Sequence, residues 1–194
     1  MATGSPPDVA DVVLALASSR PPTLNGGRLV CIDGPAGSGK STLAAAVADR
    51  TGAQVVNTDE LMEGWGGFDT VTSQLAGIVR ALAQGRPGEY HEYLWGQGRF
   101  DDATTSVAPR PWLVVEGVGS GDPVIAAHIT CLVWVEVDDE LRLSRGLERD
   151  GVENEPEWRE FMPAERRIFA RDRTFERADV VVDGTGARAP AVRP

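Results

Sequence analysis

Short apolar runs alternate with amphipathic stretches along most of the chain. The length and uniform apolar character of these runs are typical of strands buried on both faces of a sheet. We assign strands to residues 28–33, 53–57, 112–116, 130–137 and 178–182. We assign helices to residues 8–18, 40–50, 70–83 and 140–149, and the charged segment 150–177 is also expected to be mostly helical. This alternation predicts an α/β fold in which helices cover both faces of a parallel sheet.

One compact domain is the expected organisation for a chain of 194 residues. Residues 1–27 are interpreted as an N-terminal extension with a short helix, which follows a segment rich in Gly, Ser and Pro at 1–7. The main domain is expected to span residues 28–183. Residues 184–194 are expected to be a flexible tail.

Acidic residues outnumber basic ones by 29 to 19, which gives a net charge of −10. Such a charge opposes binding to nucleic acid or to an anionic membrane surface, so we expect neither as a partner. The first residues lack the basic start and cleavage site of a secretory signal, and no apolar run reaches the roughly 20 residues that span a bilayer. We therefore expect a cytoplasmic protein.

The cysteines and histidines do not form a pattern typical of a metal site or a hydrolase triad. Cys31 and Cys131 each lie inside an apolar run, which favours buried hydrophobic side chains over a disulfide framework. Nothing places His91 or His128 beside a nucleophilic Ser or Cys. The candidate chemistry therefore lies in the glycine-rich segment that follows the first strand.

The segment Gly34–Ser41 reads GPAGSGKS and matches the phosphate-binding pattern GxxxxGK[ST]. It directly follows a predicted strand and opens a predicted helix, which is the context that a P-loop requires. Its backbone N–H groups and the helix N-terminus can hold phosphates. We predict that Lys40 reaches the β and γ phosphates and that Ser41 ligates Mg²⁺; the alternative is a glycine-rich turn with a solvated lysine. The residues assigned to nucleotide binding are Gly34, Ala36, Gly37, Ser38, Gly39, Lys40, Ser41, Thr42 and Arg149.

Two acidic residues follow predicted strands at the edge where a P-loop would hold phosphates: Asp59 after the second strand and Glu116 at the end of the third. A carboxylate beside an acceptor hydroxyl can orient it and take its proton, and Asp59 is the candidate for this role. Its alternative is the N-cap of a helix that begins near Glu60. Glu116 is the candidate for holding Mg²⁺ or one of its waters, with a plain surface acid as the alternative.

Arg142, Arg145 and Arg149 are spaced so that they line one face of a predicted helix. Such guanidinium groups could neutralise the charge of a transferring phosphate. They could equally form a solvated face that pairs with neighbouring glutamates, and the spacing alone does not decide. A second basic set alternates with acids and is interpreted as an ion-paired, solvent-facing helix. This set comprises Arg166, Arg167, Arg171, Arg173 and Arg177, interleaved with Glu165, Asp172 and Glu176.

The tract 85–110 is interpreted as irregular, because it is too polar for a core segment and too aromatic for a linker. Aromatic rings with polar tips suit stacking on a base or covering a sugar, although aromatic residues also simply pack. The residues assigned to acceptor binding, besides Asp59, are Tyr90, His91, Tyr93 and Arg99. Trp95 and Phe100 lie in the same tract, and Trp65 and Phe68 lie upstream.

Several short motifs together resemble the uridine/cytidine kinase family of P-loop kinases, and they occur in the same order along the chain. They are GPAGSGKST from Gly34, TD at Thr58 and Asp59, VVEGV from Val114, RLSRGLERD from Arg142 and RADVVVDGT near the end. The resemblance covers residues 28–183 and departs from the family after Asp59, where Leu61 and Met62 stand in place of an aromatic pair. The acceptor tract also departs, since it reads YHEYLWGQGR from Tyr90.

The resemblance implies a three-layer α/β/α P-loop kinase fold with a five-stranded parallel sheet, ATP as donor and Mg²⁺ as cofactor. It implies that Asp59 is the base for a sugar hydroxyl. It also implies that Arg142, Arg145 and Arg149 lie at or beside a mobile lid near residues 142–160. The expected function is therefore transfer of phosphate to a small molecule, with a pyrimidine nucleoside as the first candidate. The alternatives are another small alcohol or a nucleotide as acceptor, and a nucleotide-binding switch without catalysis.

Overall fold

A mainly parallel sheet forms the centre of the protein in a computed structural model that describes residues 8–194. The interpretation of residues 1–7 as the start of an extension lies outside these residues. The strands are β1 (Arg28–Asp33), β2 (Gln54–Asn57), β3 (Gly88–Leu94), β4 (Arg99–Val107), β5 (Trp112–Glu116), β6 (Cys131–Glu136), β7 (Val180–Asp183) and β8 (Ala191–Val192). The α-helices are α1 (Val9–Ser19), α2 (Lys40–Thr51), α3 (Phe68–Ala83), α4 (Asp139–Asp150), α5 (Glu155–Asp172) and α6 (Thr174–Arg177).

The central sheet has six strands in the order β2-β5-β1-β6-β7-β8. The first five are parallel, and β8 pairs antiparallel with β7 at the edge. The predicted α/β fold with a parallel sheet is thus confirmed. Because β1 lies in the middle of the sheet, the loop that follows it opens at the centre of the carboxyl-terminal edge, where open α/β sheets bind ligands.

Alternate side chains of the central strands bury against opposite helical layers, as expected for a sheet covered on both faces. In β1, Leu29 and Cys31 belong to the cluster that contains α3. Val30 and Ile32 belong to the cluster that contains α1 and α2. The sheet therefore lies between two hydrophobic cores, which fixes the ends of its strands relative to the helices.

The tract 85–110, interpreted as irregular from sequence, instead contains an antiparallel hairpin formed by β3 and β4. The hairpin is separate from the central sheet and packs on α3, where Tyr90 and Val107 join the core. A Cβ at Gly88 would lie 2.8 Å from the Ile78 Cα, so only glycine allows this close approach. The polar alternation of the hairpin obscured it in the sequence, because one of its faces is exposed.

The C-terminal segment and the two cysteines are the remaining features of the fold. The segment 184–194, expected to be a flexible tail, returns along β7 and contributes β8. Cys31 and Cys131 are both buried and unpaired, as their apolar surroundings predicted. Within residues 8–194, no helix has both the length and the apolar character needed to cross a membrane.

Candidate functional site

The loop between β1 and α2 has the backbone conformation that its glycines allow. Gly37 and Gly39 have φ angles of +78° and +100°, in the left-handed region that favours glycine. A Cβ at Gly37 would also lie 2.5 Å from the carbonyl oxygen of Arg142. Gly39 is the N-cap of α2, and no side chain caps the first N–H groups of this helix. These N–H groups are free to bind an anion at the positive end of the helix dipole.

A buried ion pair supports this loop from behind. Glu165 of α5 is fully buried and accepts a hydrogen bond from the Ala36 N–H at 2.9 Å. The same carboxylate pairs with Arg142 of α4, which is 1% exposed and also bonds Asp139 at 2.8 Å. Burial raises the pKa of Glu165, while the charge of Arg142 acts in the opposite direction. Two helices are therefore fixed to the P-loop through one carboxylate.

Asp33, the last residue of β1, holds the base of the loop. Its carboxylate is fully buried and accepts hydrogen bonds from the N–H groups of Gly34, Gly119 and Gly121 at 2.7, 3.1 and 2.8 Å. Burial raises the pKa of Asp33 to about 6, although these hydrogen bonds and the charge of Lys40 oppose the increase. Asp33 thus connects the P-loop to the loop that follows β5.

A cavity of about 260 Å³ lies over the P-loop and contains the groups that the sequence predicts to bind phosphate. We call it the phosphate cavity. Lys40 is 7% exposed and donates from Nζ to the Pro35 carbonyl oxygen at 2.9 Å, so its charge lies along the loop. Ser41 donates from Oγ to Glu116 Oε1 at 2.9 Å. Burial raises the pKa of Glu116, and Lys40 and Ser41 oppose this shift. The residues around the cavity include Ala36, Gly37, Gly39, Lys40, Ser41, Thr42, Asp59, Glu116, Arg145 and Arg149.

The predicted nucleotide-binding residues Gly34 and Ser38 do not line this cavity. Gly34 packs against β6, where a Cβ would lie 2.1 Å from the Val135 carbonyl oxygen. The Ser38 side chain is buried, and its hydroxyl has no hydrogen-bond partner within residues 8–194. Gly34 therefore shapes the loop, whereas Ser38 borders a different cavity on the outer side of the loop.

The oxygen atoms beside the loop fit Mg²⁺. The Ser41 hydroxyl and the Glu116 carboxylate are adjacent, and Asp59 lies on the same cavity. Mg²⁺ prefers hard oxygen ligands and usually takes only one or two carboxylates, the rest being phosphates and water. No group of three His, Cys, Asp or Glu converges on one point in the part of the chain that the structure describes. Protein ligands alone therefore do not form a cage, and a magnesium–nucleotide complex fits better than a free ion.

Asp59 lies between the phosphate cavity and a second cavity of about 510 Å³. It belongs to a short 3₁₀ helix capped by Asn57, whose side chain accepts from the Asp59 N–H at 2.8 Å. Asp59 is thus not the cap that the alternative interpretation supposed. Its backbone carbonyl accepts from Trp95 Nε1 at 3.0 Å. Its carboxylate has no hydrogen-bond partner among the described residues, so it can meet a ligand in either cavity.

The second cavity has aromatic walls and is referred to below as the acceptor cavity. Trp65 forms edge-to-face pairs with Trp95, Trp158 and Phe161, at centroid distances of 5.7, 6.1 and 5.6 Å. Such pairs hold rings in fixed orientations. The residues around the cavity are Ala36, Asp59, Met62, Trp65, Trp95, Arg149, Asp150, Asn154, Trp158 and Phe161.

Four residues assigned to acceptor binding lie away from this cavity. Tyr90 is 5% exposed and donates from its hydroxyl to Glu60 Oε2 at 2.5 Å. Tyr93 packs edge-to-face on Trp95 and Phe100. His91 lies on an exposed groove with α3, and Arg99 is an exposed partner of Asp102. Tyr90, His91 and Tyr93 lie in β3 and Arg99 begins β4, and none of the four is among the residues around the cavity.

The three arginines of α4 have different surroundings. Arg142 is directed behind the P-loop into the ion pair with Glu165, which differs from the expected position over the phosphates. Arg145 lies beside the loop and donates to the Gly184 carbonyl oxygen at 3.2 and 3.3 Å. Arg149 lines both the phosphate cavity and the acceptor cavity. Two of the three arginines therefore reach the site.

Sequence reasoning missed the contributions of α5. Glu165 was assigned to a solvent-facing helix, but it is fully buried. The sequence did contain a signal, which was an apolar pattern with the spacing of one helical face. The residues of this face are Trp158, Phe161, Met162, Glu165 and Phe169. A charged residue within such an apolar face indicates a buried partner.

A third cavity of about 520 Å³ continues from the outer side of the P-loop. Arg145, Gly39 and Thr42 border both this cavity and the phosphate cavity. The remaining lining comes from Ser38 of the P-loop, from the start of α1, from α2, from β6, and from β7 with the turn that follows it. The cavity is large enough for the nucleoside end of a nucleotide whose phosphates bind the P-loop.

Comparisons with known proteins agree with this architecture. A family model described as an AAA domain matches residues 29–111, which include the P-loop. No curated protein sequence matches the chain. A structure of a possible uridine kinase from Bacillus stearothermophilus is 19% identical with a TM-score of 0.60, covering 89% of this chain and 98% of that chain.

A second solved structure has the same degree of similarity. It is a protein from Silicibacter sp. TM1040 provisionally assigned as a fructose transport system kinase, which is 20% identical with a TM-score of 0.58. The match covers 89% of this chain and 95% of that chain. At such identities the likeness concerns the fold. The chain therefore contains a P-loop domain and has the α/β fold of P-loop kinase structures, the group that its motifs resemble.

Proposed function

We propose that the protein is an ATP-dependent phosphotransferase that phosphorylates a hydroxyl group of a small molecule. The observation that carries this proposal is the position of Asp59, whose carboxylate borders both the phosphate cavity and the acceptor cavity. Phosphoryl transfer depends mainly on positioning and charge stabilisation. A carboxylate between the two cavities is placed to orient an acceptor hydroxyl towards the γ-phosphate and to take its proton.

The other groups have matching roles in this proposal. Backbone N–H groups of the P-loop and Lys40 hold the phosphates, while Arg145 and Arg149 face the transferred group. Ser41 and Glu116 would hold Mg²⁺, which supplies neutralisation of the charge on the phosphate oxygens when bound. Closure of the aromatic wall over a bound acceptor would limit water near the γ-phosphate, which would reduce wasteful hydrolysis.

A pyrimidine nucleoside is our first candidate for the acceptor. Indole rings suit stacking on a flat base, and the acceptor cavity carries Trp65 and Trp95 on its wall. A phosphorylated acceptor fits less well, because within residues 8–194 Arg149 is the only basic residue around the cavity and is already paired with Asp150. The solved structure described as a possible uridine kinase supports the same choice by fold alone. A sugar is the second candidate, supported by the structure assigned to fructose transport.

The proposal is tested by replacing Asp59 and Lys40 separately. Asp59→Asn should lower kcat by about 100-fold or more while ATP·Mg²⁺ affinity changes little, since the base does not bind the donor. Lys40→Ala should weaken ATP·Mg²⁺ binding. Phosphate transfer is measured in a coupled assay over a panel of nucleosides, sugars and nucleoside monophosphates, and ATP affinity is measured by calorimetry.

Glu60→Gln provides a matched control, because Glu60 is the next acidic residue but bonds Tyr90. This variant should retain kcat within about threefold. A nucleotide-binding switch without catalysis predicts instead that wild type binds ATP but transfers no phosphate to any acceptor, and that Asp59→Asn has no effect. That outcome would replace the kinase proposal.

A further inference from the structure

Arg149 lies where the two cavities meet, but its position is set by another residue. Its guanidinium group donates from Nε to Asp150 Oδ1 at 2.6 Å and from Nη2 to Asp150 Oδ2 at 2.9 Å. A bidentate pair of this kind fixes the plane of the guanidinium group as well as its distance. The hydrogen bond to Asp150 raises the pKa of Arg149, and the charges of Asp59 and Glu116 act in the same direction.

Asp150 is itself held by α5. Its Oδ2 accepts from the Trp158 indole N–H at 3.1 Å, and its backbone carbonyl accepts from Asn154 Nδ2 at 2.6 Å. Burial acts to raise the pKa of Asp150, but the hydrogen bond and charge of Arg149 lower it overall. Asp150 is therefore a carboxylate with fixed partners on both sides.

Trp158 is in turn fixed by close packing. It is fully buried, and a Cβ at Gly146 would lie 2.2 Å from its ring. The Trp158 ring forms an edge-to-face pair with Trp65, which belongs to the aromatic wall of the acceptor cavity. Unbroken contacts thus connect the aromatic wall to Asp150 and, through it, to Arg149.

We propose that Asp150 is a positioning residue, which holds Arg149 at the junction of the two cavities and is itself oriented by the Trp158 indole N–H. Asp150 also borders the acceptor cavity, but its carboxylate oxygens are taken by Arg149 and the Trp158 indole N–H, so it acts through Arg149 and not on the reacting atoms. This inference rests on the proposed phosphotransferase function. It adds that the orientation of Arg149 depends on the aromatic wall that the acceptor contacts.

The test is a double-mutant cycle with Arg149→Ala, Asp150→Asn and the combined variant. Asp150→Asn should lower kcat by about 100-fold, the effect of misplacing a charge-stabilising group by about 1 Å, while the acceptor KM changes less than about threefold. Arg149→Ala should lower kcat by about 100-fold to 1,000-fold. The double variant should be no slower than Arg149→Ala alone, because Asp150 has nothing left to position.

Trp158→Phe tests the second contact. It keeps an aromatic ring but removes the indole N–H, and it should lower kcat by about tenfold when Arg149 is present and not when it is absent. Asp172→Asn is a matched control, because Asp172 forms the same bidentate pair with the preceding Arg171 at 2.6 and 2.8 Å, outside the residues around either cavity. This control should retain kcat within about twofold.

The outcomes separate this inference from the proposed function. The positioning role would be overturned if the kcat losses of the two single variants multiplied in the double variant. It would also be overturned if Asp150→Asn lost thermal stability but kept an unchanged kcat. A wild type that transfers no phosphate would overturn the proposed function instead. The positioning role is then tested by measuring the affinity of each variant for MgADP with aluminium fluoride. If the inference is correct, Arg149→Ala and the double variant should lose the same amount of this affinity.

Discussion

Asp33 is a buried carboxylate immediately before the P-loop, and burial makes its charged form unfavourable. Three backbone N–H groups satisfy its oxygens, yet burial still raises its pKa to about 6. The folded protein therefore holds this proton more tightly than the unfolded chain, for which the pKa is 3.8. The stabilisation associated with this proton is present in full below about pH 4 and is lost as the pH rises through about 6.

We predict that Asp33→Asn removes this pH dependence. The free energy of unfolding of wild type should fall relative to that of the variant between pH 4 and pH 7, by up to about 3 kcal/mol, since one pKa unit corresponds to about 1.4 kcal/mol. The measurement is urea unfolding of both proteins across this range. A constant difference, or one that grows in favour of wild type with increasing pH, would contradict the shift.

The positions of residues that directly follow buried strands were predictable from the sequence. The P-loop, Asp59 and Glu116 were placed by their position after apolar strands, and the structure brings Lys40, Ser41, Asp59 and Glu116 around one cavity. Arg142 was less predictable. Helical spacing placed Arg142 on one face with Arg145 and Arg149. The spacing does not show that Arg142 turns behind the P-loop, because this depends on its contact with Glu165 of α5.

At the scale of elements, α5 contributes more than its charged composition indicated. Its apolar face carries Glu165 into the core, where Arg142 and the Ala36 N–H satisfy it. Removing one partner of a buried ion pair leaves the other charge without compensation. The structure thus makes α5 a support for both α4 and the P-loop.

Glu165→Gln should therefore destabilise the protein by about 3 kcal/mol, because Arg142 keeps a buried charge and loses its buried charged partner, while its other partner, Asp139, is half exposed. Glu160→Gln, on an exposed turn of the same helix, should change the free energy of unfolding by less than about 0.5 kcal/mol. Both are measured by denaturant unfolding at pH 7. Equal effects of the two substitutions would mean that the ion pair contributes no more than a surface charge.

The hairpin of β3 and β4 marks the limit of prediction for elements. Strands with two apolar faces were recognised because their sequence pattern is simple. The hairpin was missed because many of its polar positions meet solvent while Tyr90, Tyr93 and Val107 are buried. The acceptor wall was assigned to the same tract, yet only Trp95 reaches it from the hairpin. Trp65, noted upstream of the tract in the sequence, also lines the cavity, whereas Trp158 and Phe161 come from α5, which sequence spacing cannot bring together with the hairpin.

For the whole molecule, sheet order places the site. Because β1 lies between β5 and β6, the P-loop, Glu116 and the loop to α4 converge at one edge. The acceptor cavity combines residues of the first half of the chain, such as Asp59 and Trp65, with residues of α4 and α5, so helices from the second half complete it. The alternation of strands and helices predicted this edge as the binding region, whereas the packing of α5 depends on tertiary contacts.

The same packing restricts which part of the predicted lid near residues 142–160 can move. The segment α4 is fixed through Arg142 to Asp139 and Glu165. After α4 the chain turns at Gly151, with a φ of +97°, and Val152 is 73% exposed. Val152 and Glu153 are both exposed, and local opening is favoured where side chains make few packing contacts.

We predict that closure over bound substrates involves residues 151–157 and leaves residues 139–147 in place. Amide hydrogen exchange in 151–157 should slow when a nonhydrolysable ATP analogue, Mg²⁺ and uridine are added together, because closure excludes water from the transferred phosphate. Exchange in 139–147 should stay unchanged, and α3, whose apolar face packs on the core, provides an internal reference. Slower exchange throughout 139–157 would show instead that α4 moves with the lid, and that the ion pair of Arg142 with Glu165 breaks and reforms during each turnover.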